Sequence, residues 1–134
     1  MKAVFLVLLV PVSVLAASPE DIKAEKRVDA LSSPDFCRKL GPAIRLPIGR
    51  DEAYRSAMLR RAERSEKITS VMQGAIAARE PAMGMNLCAV VAAFGQPDRH
   101  NRSVTQHGES YQLIYERPRR YIYMTNHQVT AWQD

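Results

Sequence analysis

The stretch from Tyr121 to Gln133 constrains this fold more than any other. Two alternating runs, Tyr121–Thr125 and Gln128–Gln133, are separated by Asn126-His127 alone. A two-residue gap that opens on Asn specifies a tight antiparallel hairpin, because such turns need positive φ and Asn tolerates it. The gap also sets a register. Thr125 is expected opposite Gln128, Met124 opposite Val129, Tyr123 opposite Thr130, Ile122 opposite Ala131 and Tyr121 opposite Trp132. Opposed residues share a face. One face is then aliphatic (Ile122, Met124, Val129, Ala131) and the other aromatic and polar (Tyr121, Tyr123, Thr125, Gln128, Thr130, Trp132).

Upstream runs extend the sheet. Arg99–Gln106 reads as a first strand with His107-Gly108 as its turn, and Tyr111–Glu116 as a second. If Arg117–Arg120 forms the next loop, Tyr111, Leu113 and Tyr115 join the aliphatic face, while Gln112, Ile114 and Glu116 join the aromatic one. The two assignments agree. Helices should cover the aliphatic face. Ile114, Tyr121, Tyr123 and Trp132 would then form an uncovered strip, and exposed apolar patches commonly mark interaction sites.

Helical signals lie before the strands. Asn86 is a good N-cap, and Leu87, Val90, Val91 and Phe94 recur at helical spacing. Gly95 suits the C-terminal position and Pro97 stops the chain. Phe94 and Val91 are expected beneath Leu113 and Ile122. Residues 51–79 contain no proline and place Tyr54, Met58, Ala62, Ile68, Met72 and Ile76 at helical spacing with a gap at Ser65. The spacing leaves two readings open, one continuous helix or a break near Ser65 or Gly74. Residues 18–50 hold four prolines and read as an irregular segment with one short helix, Glu20–Leu31. The fold class is therefore α+β, with two or three helices on one face of a small antiparallel sheet of three to four strands.

The start of the chain bears on its destination. Lys2, the apolar run Ala3–Leu15 and the triplet ending at Ala16 form a signal-peptide pattern over residues 1–17, with a mature start at Ala17 or Ser18. The run is too short to span a bilayer comfortably, and Pro11 interrupts it. No cysteine follows it to accept a lipid. The mature chain is expected in the periplasm or secreted, with residues 18–50 as its N-terminal segment and 51–134 as its α+β domain. Cys37 and Cys88 are the two cysteines. In an oxidising compartment such a pair is expected to form a disulfide.

Little else in the sequence speaks of chemistry. His100, His107 and His127 fall at strand ends or turns without metal-ligand spacing. Glu109 and Glu116 lie on strands of a small sheet, which seldom offers the cleft that paired carboxylates need. No phosphate-cradling glycine loop and no nucleophile elbow occurs. No catalytic residue, metal site, cofactor or small-molecule substrate is therefore expected. The formal charge of +5, with 14 Arg among 19 basic residues, is too small to argue for nucleic acid in an exported chain.

The order and spacing of several motifs resemble the SmpA/OmlA domain of the BamE-like envelope proteins. The resemblance runs from Ile76 to Asp134. It rests on Gly84-Met85 before the short helix, Phe94-Gly95-Gln96-Pro97, His107-Gly108-Glu109, Gln112-Leu113-Ile114-Tyr115, and Tyr121-Ile122-Tyr123 before a turn and Val129. It implies two helices on a small antiparallel sheet. It also implies a noncatalytic module that binds other envelope proteins, as in outer-membrane assembly or envelope maintenance. The alternative is an inhibitor or immunity-type binder of a secreted or periplasmic enzyme, since small disulfide-stapled domains often serve so and Tyr, Trp and Arg are favoured anchors.

Overall fold

A computed structural model describes residues 17–134; the expected signal peptide lies outside them except for Ala17. Helix α1 (Pro19–Asp29) begins with a reciprocal cap. The Ser18 hydroxyl accepts from the Asp21 N–H at 3.2 Å, while the Asp21 carboxylate accepts from the Ser18 N–H at 3.2 Å. Helix α2 (Ser33–Ile44) starts the same way, with the Ser32 hydroxyl accepting from the Asp35 N–H at 3.3 Å. This second helix corrects the expectation of an irregular 18–50 segment. Pro34 lies in the first turn, where a missing N–H costs nothing, and Pro42 in the last turn forgoes one intrahelical bond. Burial of Phe36, Leu40, Ala43 and Ile44 on one face outweighs that loss.

The 51–79 region is two helices, α3 (Glu52–Ser65) and α4 (Ser70–Ala78). The chain breaks between them at Lys67, whose φ is 54°. Thr69 restarts it by accepting from the Met72 N–H at 3.3 Å. Ile68, inside the break, is fully buried, and its N–H reaches back to the Ala62 carbonyl at 3.0 Å. Met58, Ala62, Ile68 and Ile76 are buried, and Tyr54 and Met72 pack against them. The apolar stripe therefore survives the break.

Helix α5 (Leu87–Phe94) lies at the centre. The Asn86 side chain accepts from the Ala89 N–H at 2.9 Å and donates to the Glu66 carbonyl at 2.9 Å, tying the start of α5 to the end of α3. Ala89 through Ala93 are all buried, as expected of a helix enclosed on every side. Cys37 on α2 and Cys88 on α5 form the expected disulfide, with Cα atoms 5.0 Å apart. Its sequence separation of 51 corresponds to a stabilisation of roughly 4 kcal/mol in the chain-entropy model. One turn further along each helix, Gly41 meets the backbone of Ala92, so α2 and α5 run side by side in the same direction.

Strands β1 (Arg99–Thr105), β2 (Gly108–Glu116), β3 (Arg119–Thr125) and β4 (Gln128–Gln133) form an antiparallel meander in that order. With helices packed against it, the sheet makes the expected α+β fold. Asn126 and His127 take φ of 48° and 69°, the double positive φ that a two-residue hairpin requires. The β2–β3 connection is Arg117-Pro118, two residues shorter than expected, because β3 begins at Arg119 rather than at Tyr121. A change of two leaves every side chain on its original face: Leu113 opposes Ile122 and Tyr111 opposes Met124. The outer edge of β4 is covered where the Gly84 N–H donates to the Val129 carbonyl (2.9 Å) and the Val129 N–H to the Met85 carbonyl (2.8 Å). The edge strand β1, in contrast, is exposed at all of its residues.

Val91, Leu113 and Ile122 are buried as expected. Phe94 is only half-buried. Its ring meets Tyr115 edge-on with centroids 5.9 Å apart, and the Arg120 guanidinium lies 4.8 Å over its face. The last residue of α5 thus reaches past the core to the end of the sheet.

Candidate partner-binding surface

The expected strip of Ile114, Tyr121, Tyr123 and Trp132 does not form as one surface. A β-bulge between β3 and β4 intervenes: Met124 pairs with Val129, but Tyr123 pairs with Ala131, Ile122 with Trp132 and Tyr121 with Gln133. Thr130 is the extra residue. Its hydroxyl lies 3.3 Å from that of Thr125 and donates to the Tyr123 carbonyl at 3.4 Å. One inserted residue reverses the facing of everything beyond it. Trp132 therefore turns to the helix side, where it packs half-buried against the core.

What remains on the open face is largely polar. The Tyr123 hydroxyl donates to Gln133 Oε1 at 3.0 Å and accepts from Gln112 Nε2 at 3.5 Å. Asn101 Nδ2 in turn donates to Gln112 Oε1 at 3.0 Å. This row of amides and phenol crosses all four strands and uses the polar groups that a partner would need. Ile114 is 7% exposed and stands apart from the main core cluster. Tyr121 and Tyr123 are half-buried. The open face is therefore not an exposed apolar patch.

Exposed apolar groups occur on the opposite side of the sheet instead. Leu87, at the start of α5, is 52% exposed, and Val104, on the helix-facing side of β1, is 65% exposed. Beside Leu87 opens a cleft of about 510 Å³ between α5 and the sheet. Its walls are Leu87, Val91, Leu113, Met124, Tyr111 and the Cys37–Cys88 disulfide, with Glu66, His100 and His127 on its rim. Apolar walls with few polar groups are the usual composition of a binding cleft. The strand register places His100 opposite Leu113 and Arg102 opposite Tyr111, so β1 continues the floor of the cleft outward to the sheet edge.

Two polar clusters hold the cleft in shape. At the sheet end, Arg102 Nε donates to Glu109 Oε1 at 2.6 Å, and the Tyr111 hydroxyl donates to the same oxygen. The Arg102 hydrogen bond, followed by that of Tyr111, holds the Glu109 carboxyl below its ordinary range. Glu109 in turn raises the Tyr111 phenol and the Arg102 guanidinium. At the helix end, Glu66 accepts from the Ser33 hydroxyl at 3.1 Å and pairs with Arg61 at 3.4 Å. Arg61 also donates to the carbonyls of Val28 (2.7 Å) and Leu31 (2.8 Å), closing α1 onto α3. Tyr115, on the same face of the sheet, donates to the Gly95 carbonyl at 2.8 Å, and burial pushes its phenol well above the ordinary range.

Among the described residues, Cys37, Glu66 and Cys88 are the group of potential ligands close enough together to hold an ion, all within 4.8 Å. Both sulfurs are consumed by the disulfide, so neither offers the thiolate that a metal site needs. His100, His107 and His127 are exposed. None of the buried side chains among the described residues is charged.

The edge-strand cleft was missed in the sequence because it depends on how far one helix reaches. The exposed Leu87 was the available signal, since an apolar residue immediately after an N-cap faces outward unless something covers it. Compared with protein-family models, curated proteins and solved structures, the chain matches none.

Proposed function

We propose that this chain is an exported, noncatalytic protein-binding module of the bacterial cell envelope. It receives an extended segment of its partner along the edge of β1. The observation that carries this reading is the apolar cleft beside an exposed edge strand. An added strand would gain main-chain hydrogen bonds along β1, and every second side chain would point into the cleft. Arg99 and Arg102 on β1, paired with Glu116 and Glu109 on β2, place charged side chains along the edge, which discourages its pairing with a second copy.

Two further features support export and an envelope role. The disulfide suits an oxidising compartment, and no helix among the described residues is long and apolar enough to cross a membrane. The motif resemblance to the SmpA/OmlA domain over residues 76–134 favours an assembly or maintenance scaffold over an inhibitor or immunity-type binder.

Site-specific photo-crosslinking in the native periplasm tests the proposal, with the crosslinker placed in turn at Leu87, Val104 and Tyr121. Adducts from Leu87 and Val104 with a membrane-assembly protein are expected. Adducts with one soluble enzyme would replace the scaffold reading by the inhibitor reading. Adducts from Tyr121 alone would move the site to the open face and refute the cleft.

A further inference from the structure

A second cleft, of about 420 Å³, lies at the opposite end of α5 and has a different character. Five arginines line it: Arg38 and Arg45 from α2, Arg79 from the end of α4, and Arg117 and Arg120 from the β2–β3 hairpin. Its floor is Phe94 and Tyr115. Two of the arginines have carboxylate partners, Arg38 with Asp35 and Arg120 with Asp134. Arg45, Arg79 and Arg117 pair with no carboxylate among the described residues.

The structural role of these arginines accounts for part of this charge. Helices α2, α4 and α5 end here, at Arg45, Arg79 and Gly95. Each helix end carries about −0.5 of an elementary charge, roughly −1.5 together. Arg45 serves one of them directly, donating to the Ile76 carbonyl at 3.1 Å. Three unpaired guanidinium groups exceed that demand by roughly +1.5, and Arg117 comes from the β2–β3 hairpin rather than from a helix end. Burial, and then the charge of Arg79, also hold the Arg45 guanidinium below its ordinary range. The molecule thus gathers like charges around a concave site with few anions to offset them.

We propose that this cleft binds a phosphate-bearing anion, held by Arg45, Arg79 and Arg117, with an apolar or ring portion resting on Phe94. A phosphate monoester carries about −1.5 to −2 at neutral pH, which matches the surplus, whereas a monocarboxylate falls short. Guanidinium forks also fit phosphate oxygens in pairs. The phosphate could belong to a soluble molecule or to a lipid headgroup, since both present the same group to the cleft.

The test uses the full mature protein, oxidised, with phenyl phosphate as the soluble probe and benzoate as the carboxylate control. Vesicles of phosphatidylcholine with or without phosphatidate form the lipid arm. NMR titration should show saturable shifts around Phe94 and Tyr115 with phenyl phosphate, and at least tenfold weaker binding of benzoate. The exposed pair Arg79→Gln and Arg117→Gln should weaken phenyl phosphate binding tenfold or more without changing the melting temperature. Vesicle binding that requires phosphatidate, is lost in this variant and is competed by phenyl phosphate identifies the lipid source; saturation by the soluble probe alone identifies the soluble one. Three results overturn the proposal: no saturable shift with either phosphate source, equal binding of benzoate, or undiminished binding in the double variant.

Discussion

Gly41→Ala isolates the closest contact between the two central helices. In an ordinary helix the substitution stabilises, because Ala is favoured over Gly by about 1 kcal/mol. At Gly41 the added Cβ would stand 1.9 Å from the Ala92 carbonyl oxygen and 2.9 Å from Arg45 Nη2. The Ala92 oxygen belongs to the backbone, so α2 and α5 must separate by about 1 Å or more. They cannot do so freely, because the Cys37–Cys88 bridge joins the same two helices one turn earlier. The strain then spreads into the packing of Phe36, Leu40 and Val90, all fully buried. Overpacking of this kind costs about 3 kcal/mol at the upper end of its usual range. Subtracting the propensity gain leaves a net loss of about 2 kcal/mol, or a fall in melting temperature of roughly 8 °C for a domain of this size. Gly74→Ala is the control. It lies within α4, and an added Cβ there meets nothing within 4 Å, so it should raise stability by up to about 1 kcal/mol. Thermal and urea unfolding of both oxidised variants measures the pair. If Gly41→Ala is neutral or stabilising, α2 and α5 do not approach as described.

Two further predictions address the sheet. Trp132→Ala should cost about 2–3 kcal/mol, below the range for a fully buried aromatic, and at least twice the cost of Tyr121→Ala; equal losses in urea unfolding would contradict the bulge at Thr130. The Glu109 carboxyl should titrate below the ordinary glutamate value by NMR and return toward it in Arg102→Gln, and unchanged titration would show that the pair does not form. Because the folded-state pKa is depressed, the stability that Arg102 draws from Glu109 is present above the unfolded glutamate pKa and is lost as pH falls through the folded one.

The parts of this fold that were legible in the sequence are those fixed by local chemistry. Asn86 and Gly95 bound α5 because each answers a need of the helix end beside it, and Asn126-His127 closes the last hairpin because the gap permits nothing longer. The faces of β2 and β3 followed from parity, so a loop shorter than expected changed nothing. The rest failed where a local rule met a tertiary one. Four prolines argued against helix in 18–50, yet Pro34 and Pro42 occupy the end turns of α2, and the signal that would have found it was Ser32 before Pro34 and Asp35. Trp132 was misplaced by the bulge at Thr130, and nothing in the alternation of β4 marks an inserted residue: Val, Ala and Trp can be read in either register. The strip on the open face was lost with it, and the amide row through Gln112 and Tyr123 took its place.

The two clefts have one geometric cause. Helix α5 has 8 residues, so it is about 12 Å long. Strand β2, along which it lies, has 9 residues and extends about 30 Å. A helix that short cannot cover the sheet, and the face must open at both of its ends. Leu87 and Cys88 begin α5 over Tyr111 and Leu113, and Phe94 ends it over Tyr115, so one opening falls at each end of the helix axis. The chemistry of each opening then depends on what else arrives there. At the start of α5 it is the disulfide, Met124 and the free edge of β1, which leave an apolar trough continuous with an unpaired strand. At its end, the C-termini of α2 and α4 and the β2–β3 hairpin converge, and these sites favour arginine. Lengthening α5 would close both openings, so the short helix between Asn86 and Gly95 is what gives this domain two clefts of opposite character on one face.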